Sequence, residues 1–181
     1  MPRALDDILL YQARILQRTG AATRTADMAR LQEIWLRASL NALQTLDIRS
    51  GEKVVVRSVP DGDGIKLADG RRVRYLGVDA PEVANYGHPA EPLAREARDF
   101  NRLLLSKGSV VIIPNGGANK DKYGRLLRHV FVDGRWINAA LALTGLARSF
   151  LFADCHPAIA KWLQECENHA RQRRLGLWSH L

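Results

Sequence analysis

The feature that most constrains this chain is a change of hydrophobic period near residue 50. Before it, apolar residues recur at helical steps. After it, they fall into short β-branched runs cut by Asp-Gly turns. Residues 53–59 (KVVVRSV), 65–68, 71–78, 109–113 and 126–132 read as five strands. Asp61-Gly62-Asp63-Gly64, Asp69-Gly70 and Asp133-Gly134 supply turns, and Asp69-Gly70 is a strong hairpin signal. Helical composition over 90–105, 136–143 and 157–174 interrupts the strands, and Trp178 reads as a packing anchor. Five short strands with three interspersed helices predict an α+β unit on a five-stranded, OB-like barrel.

The first fifty residues read as a two-helix extension. Leu5, Ile8, Leu9, Ile15 and Leu16 form one stripe over 4–18, which Gly20 ends. Thr25 suits an N-cap with Asp27 in the first turn; Met28, Leu31, Trp35, Ala38 and Ala42 continue a second stripe to about residue 46. The boundary falls within 47–52, giving an extension over 1–50 and a domain over 51–181. The apolar faces need cover from each other, from the following domain or from a second subunit. A hairpin used for homodimerisation or partner docking is one expectation; added core on the barrel is the other.

Charge points to polyanions. The formal net charge is +8, and from Gly51 onward 20 basic residues face 14 acidic ones. Such a surface attracts nucleic acid or anionic membrane. Cys155 and Cys166, if both on the last helix, stand about 16 Å apart, beyond disulfide reach. Free thiols suit a reducing compartment. The charged N-terminal stretch is no signal peptide and no segment has the length of a bilayer span, so the expected setting is cytoplasmic, with secretion open if a leader was removed.

Three groups carry chemistry. Asp61 and Asp63 flank Gly62 in a turn. Arg74 lies mid-strand, on the row of Leu76 and Val78 if the strand alternates regularly, where a guanidinium needs a carboxylate or a ligand anion. Pro81 stops the ladder and leaves Asp79 and Glu82 in a loop. Asp121-Lys122-Tyr123-Gly124-Arg125 is a basic, aromatic, glycine-containing run suited to phosphate contact and base stacking. His129 reads as structural, and the other histidines show no ligand spacing.

In order, PDGDGIKL, RVRYLGVDAPE, DKYGRLLRHVFVDGRWINAALALTGLA and LGLWS resemble the thermonuclease family over residues 53–179. The resemblance implies an OB-fold barrel, one calcium ion, and cleavage of DNA or RNA at P–O5′ that leaves 3′-phosphates. It implies Asp63 and Asp79 as metal carboxylates, with the Ala80 carbonyl beside them. Glu82 matches the general base, Arg74 and Arg125 the phosphate-gripping arginines, and Lys122 and Tyr123 the nucleotide pocket. Single-stranded DNA or RNA is the implied partner, with no membrane. The alternative is a catalytically silent OB module that binds nucleic acid or protein; the presence of all five key side chains favours the enzyme. Gly64 and Ala80 stand where the family has threonine, and Gly64 is expected to loosen the metal loop and weaken calcium affinity. The loop over 83–91 departs from better-known members, and the first fifty residues have no counterpart.

Overall fold

A computed structural model describes residues 25–84, 87–117, 119–151 and 155–179, with side chains from Ala29 onward. The helix expected over 4–18 lies outside the described residues. Helix α1 (Thr25–Thr45) leads into β1 (Glu52–Val54), β2 (Val56–Ser58), β3 (Gly64–Leu67), β4 (Arg72–Tyr75) and β5 (Val78–Asp79). Then come α2 (Ala94–Leu105), β6 (Val110–Ile113), β7 (Leu126–Val132), β8 (Arg135–Trp136), α3 (Ile137–Leu143), β9 (Arg148–Ser149) and α4 (Pro157–Gln172).

The main sheet runs β1-β6-β7-β4-β3-β2, with β8 beside β7; β5 and β9 form a separate pair. Its one parallel pair is β4 with β7, which sets Arg74 beside Leu127. The expected five-stranded barrel is corrected in its details. Among the described residues there are nine short strands and four helices, and the sheet is not closed, because no ladder joins β1 to β2. Two expected strands are each broken. Val55 interrupts the first and is 71% exposed, and the register shifts between Val56 and Ser58. Gly77, at φ +76°, ends the third, where an added Cβ would meet Leu163 Cδ1 at 2.3 Å. The regular alternation that put Arg74, Leu76 and Val78 on one row therefore stops before Val78. Cys155 precedes α4 instead of lying on it, and both cysteines are free.

One apolar core joins sheet and helices. Every residue of α3 is buried. Leu31, Trp35, Ala38 and Ala42 of α1 enter the same core at three- and four-residue steps. Trp35 Nε1 donates to Trp136 O at 2.8 Å, and the Trp136 N–H donates to Ser39 Oγ at 3.0 Å. The apolar stripe of α1 is thus covered within the chain, which removes that stripe as a motive for dimerisation.

Candidate active site

Asp63 is set by close packing around Gly62. A Cβ on Gly62 would lie 2.6 Å from Ala80 Cβ and 2.7 Å from Ala97 Cβ, so only glycine lets the turn reach α2 and the residues after β5. Asp63 is then buried. Its carbonyl accepts the Tyr75 N–H at 2.8 Å, and Oδ2 accepts the Ala80 N–H at 2.7 Å. Arg74, opposite Gly64 in the β3–β4 register, pairs with Asp63 through Nη1 and with Asp79 through Nη2. One guanidinium, only 15% exposed, therefore clasps both expected metal carboxylates. Asp79 lies within β5, facing Arg148 in the pairing with β9, and not in a loop. Pro81 is buried; Glu82 is the exposed acid beyond it.

Gly64 also leaves room beside it. An added Cβ there would fall 2.5 Å from Asp61 Oδ1, so the missing side chain makes room for a carboxylate. Asp61 Oδ1 is buried without a hydrogen-bond partner among the described residues. Burial raises the Asp61 carboxyl above its ordinary range, against the pull of Arg74 and Arg125. Glu82 is also raised, first by partial desolvation and then by Asp61, with Arg74 opposing and Asp79 and Glu91 adding to the rise. Backbone bonds hold the Glu82 loop: Glu91 N–H donates to Glu82 O at 2.9 Å, and Glu82 N–H to Glu91 Oε2 at 3.1 Å.

Arg125 is delivered by a tight turn. Asp121 Oδ1 accepts the N–H groups of Tyr123 and Arg125, each at 2.9 Å, and Gly124 closes the turn at φ +75°. Asp121 Oδ2 takes Arg125 Nε at 2.7 Å. Burial works against the Asp121 carboxylate, but these hydrogen bonds win and lower its pKa. Tyr123 is 61% exposed, with Lys122 Nζ 5.1 Å and Arg125 Cζ 5.6 Å from its ring centre. A cleft of about 340 Å³ draws these parts together, lined by Arg74, Asp79, Asp121, Arg125, Asn115 and Phe150 among others. Asp63, Ala80, Glu82, Lys122 and Tyr123 are not in its lining.

Among the described residues, no three Asp, Glu, His or Cys side chains are grouped so as to hold a cation alone. A hard cation that also takes carbonyl and water oxygens fits Asp63, Asp79 and the Ala80 carbonyl. The buried, unpartnered Asp61 Oδ1 favours such a fit. Acids crowd around Arg74, which offers a single positive charge to all of them.

Arg74 and Arg125 thus face one cleft, with the clasped pair Asp63 and Asp79 behind and at its wall, on a mixed α+β frame. The chain belongs to the staphylococcal nuclease homologue family, whose model matches residues 72–180. It is similar to the thermonuclease of Staphylococcus intermedius, 34% identical over 138 residues that cover 73% of this chain and 79% of that protein. It is also similar to two Bacillus subtilis (strain 168) proteins, endonuclease YncB (34%) and SPbeta prophage-derived endonuclease YokF (32%), each over 122 residues or 66% of this chain. The matches span only 58% and 41% of those two proteins.

Sequence reasoning named the arginines and the two acids that the structure brings together. It left Asp61 as a turn residue and missed Asn115 and Phe150. The signal for Asp61 was available in Gly64, since a glycine in place of threonine leaves space that something must fill. Phe150 carried no signal beyond membership of a short apolar run.

Proposed function

We propose that this chain is a calcium-dependent nuclease that hydrolyses phosphodiester bonds of DNA or RNA at P–O5′, leaving 3′-phosphates. The observation that carries the reading is the single cleft lined by Arg74, Asp79 and Arg125, with Asp63 tied to Arg74 behind it. Family membership and the endonuclease and thermonuclease names of the relatives support it. Family membership supports an OB-type frame for a domain over 51–181, with an extension over 1–50 of which α1 packs on that domain.

Asp63, Asp79 and the Ala80 carbonyl would hold the ion, which supplies positive charge at the phosphate oxygens. Arg125 offers its guanidinium to the phosphate while Asp121 fixes it through Nε. Arg74 keeps the acids in register and faces the same cleft. Glu82 acts as general base toward the attacking water, and its raised pKa brings it nearer the operating pH than an ordinary glutamate. Lys122 and Tyr123 offer charge and a stacking face to the substrate nucleotide.

The test is cleavage of single-stranded DNA with calcium and with a calcium-specific chelator. Cutting should need the ion and fall in Glu82→Gln by about 10²–10⁴-fold with binding retained. Binding without any cutting by the folded wild-type chain would make it a silent module.

A further inference from the structure

Ahead of the family-matched residues, α1 creates a groove that the cleft does not use. The groove lies between α1 and α4, holds about 430 Å³ and shares no lining residue with the cleft. Ile34 and the half-buried Trp162 give it apolar surface. Arg30 and Arg37 stand along its α1 side, with side chains 57% and 64% exposed. Lys161 and Arg173 stand along its α4 side. Glu33 pairs with both α1 arginines, and Glu165 adds one more acid, so Arg30, Arg37 and Lys161 still outnumber the acids of the lining and its rim.

Charge and shape select the occupant. Ile34 and Trp162 alone offer too little apolar surface for the stripe of a partner helix. Cations lining one groove with a half-buried indole suit a single nucleic-acid strand, whose phosphates meet the cations while a base packs against the ring. The cleft itself, at about 340 Å³, takes on the order of one nucleotide. A long strand must draw the rest of its affinity from phosphate contacts elsewhere.

We infer that the α1–α4 groove is a second nucleic-acid contact that holds a stretch of single-stranded substrate outside the cleft. The inference rests on nucleic acid being the substrate. It makes α1 a substrate-binding addition to the family domain as well as a part of its core.

The experiment measures binding of a labelled oligothymidylate of about 20 nucleotides to the full chain by fluorescence anisotropy, over a range of salt and without divalent ions. Three proteins are compared: the wild type, the groove triple Arg30→Ala/Arg37→Ala/Lys161→Ala, and a control triple Lys53→Ala/Arg57→Ala/Arg95→Ala. The groove triple should bind about tenfold more weakly, with a salt slope reduced by about 2. The control should change by less than about threefold. Cutting of a nitrophenyl diester of thymidine, too small to reach the groove, should be unchanged in the groove triple. Quenching of tryptophan fluorescence by the oligonucleotide should be smaller in Trp162→Phe, which checks the contact should the triple fail to fold. Equal losses in both triples, no loss in the groove triple, or unaltered quenching in Trp162→Phe overturns the inference. If the wild type cuts the small diester while the groove triple binds normally, only the groove is rejected. A wild type that neither binds nor cuts rejects the function on which the groove rests.

Discussion

In the layer where α1 and α3 meet the sheet, Asn138, Ser39 and Trp35 close bonds to the backbone, whereas around Arg74 carboxylates crowd one guanidinium. Asn138 Oδ1 accepts the Val130 N–H at 2.9 Å, and its Nδ2 donates to Leu76 O at 2.8 Å. Ser39 and Trp35 do the same for Trp136. These groups are neutral, and each bond replaces one lost to water. Around Arg74, Asp61 and Glu82 are both raised and Asp61 Oδ1 has no partner among the described residues. The first region is arranged for the folded state alone. The second keeps unrelieved negative charge, which becomes useful when a cation and a phosphate arrive.

The largest expected effect tests that division from the cleft side. Arg125→Ala should lower nuclease activity by about 10²–10³-fold, the cost of losing a charge-stabilising donor. Its thermal midpoint should hardly move, because the side chain is 31% exposed and its ion pair is a local one within the turn. A large fall in stability with activity per folded molecule intact would reverse the comparison.

The converse change is Asn138→Ala in the helical layer. It strands the Val130 N–H and the Leu76 carbonyl, both buried, and should cost about 2–4 kcal/mol of stability in urea unfolding. Activity below the unfolding transition should fall far less than in Arg125→Ala. Leu76 follows the strand that carries Arg74, so a matching collapse of activity would mean that Asn138 also sets the site.

How much of this was legible in the sequence follows the same division. Strand β7 matches its expected span because Val130, Phe131 and Val132 favour a strand and Asp133-Gly134 closes it. Helix α1 was readable from apolar spacing, the later helices from helical composition, and Arg74 from the conflict between its charge and its row. The breaks at Val55 and Gly77 were not, since each depends on packing from distant elements, as Leu163 against Gly77 illustrates. Lys122 and Tyr123 were found as a motif, yet the side chain that enters the cleft from β9's far end is Phe150. The open path between β1 and β2 depends on where ladders pair, which local pattern does not report.

A third prediction uses pH to probe the sheet behind the cleft. His129 is buried on β7, edge-on to Trp136 at 5.5 Å, with Nε2 3.3 Å from Asn115 Oδ1. Burial lowers its pKa from 6.5 to about 3. Between those values the unfolded chain takes up a proton that the folded chain refuses, so stability falls as pH falls. The slope should approach about 1.4 kcal/mol per pH unit below the unfolded pKa. Urea midpoints between about pH 6.5 and 5 should show this limb in the wild type and a shallower one in His129→Phe. Parallel limbs would assign the acid sensitivity to other groups.

The smallest effect is the sharpest test of what the cleft's crowding is for. Asp61→Asn keeps the shape of the side chain above Gly64 and an acceptor oxygen, but removes a charge that burial disfavours. A carboxyl whose pKa is raised by folding contributes stability at low pH and loses it as pH rises through the folded value. The substitution should therefore raise Tm near neutral pH by a few degrees, about 2–4 °C, and the gain should vanish in acid. Calcium affinity measured by isothermal calorimetry should weaken in the same protein. Both shifts together would mean that the chain tolerates an unfavourable carboxylate because a cation relieves it. A higher Tm with unchanged calcium binding would leave Asp61 as a turn residue and return Gly64 to the role of a looser loop.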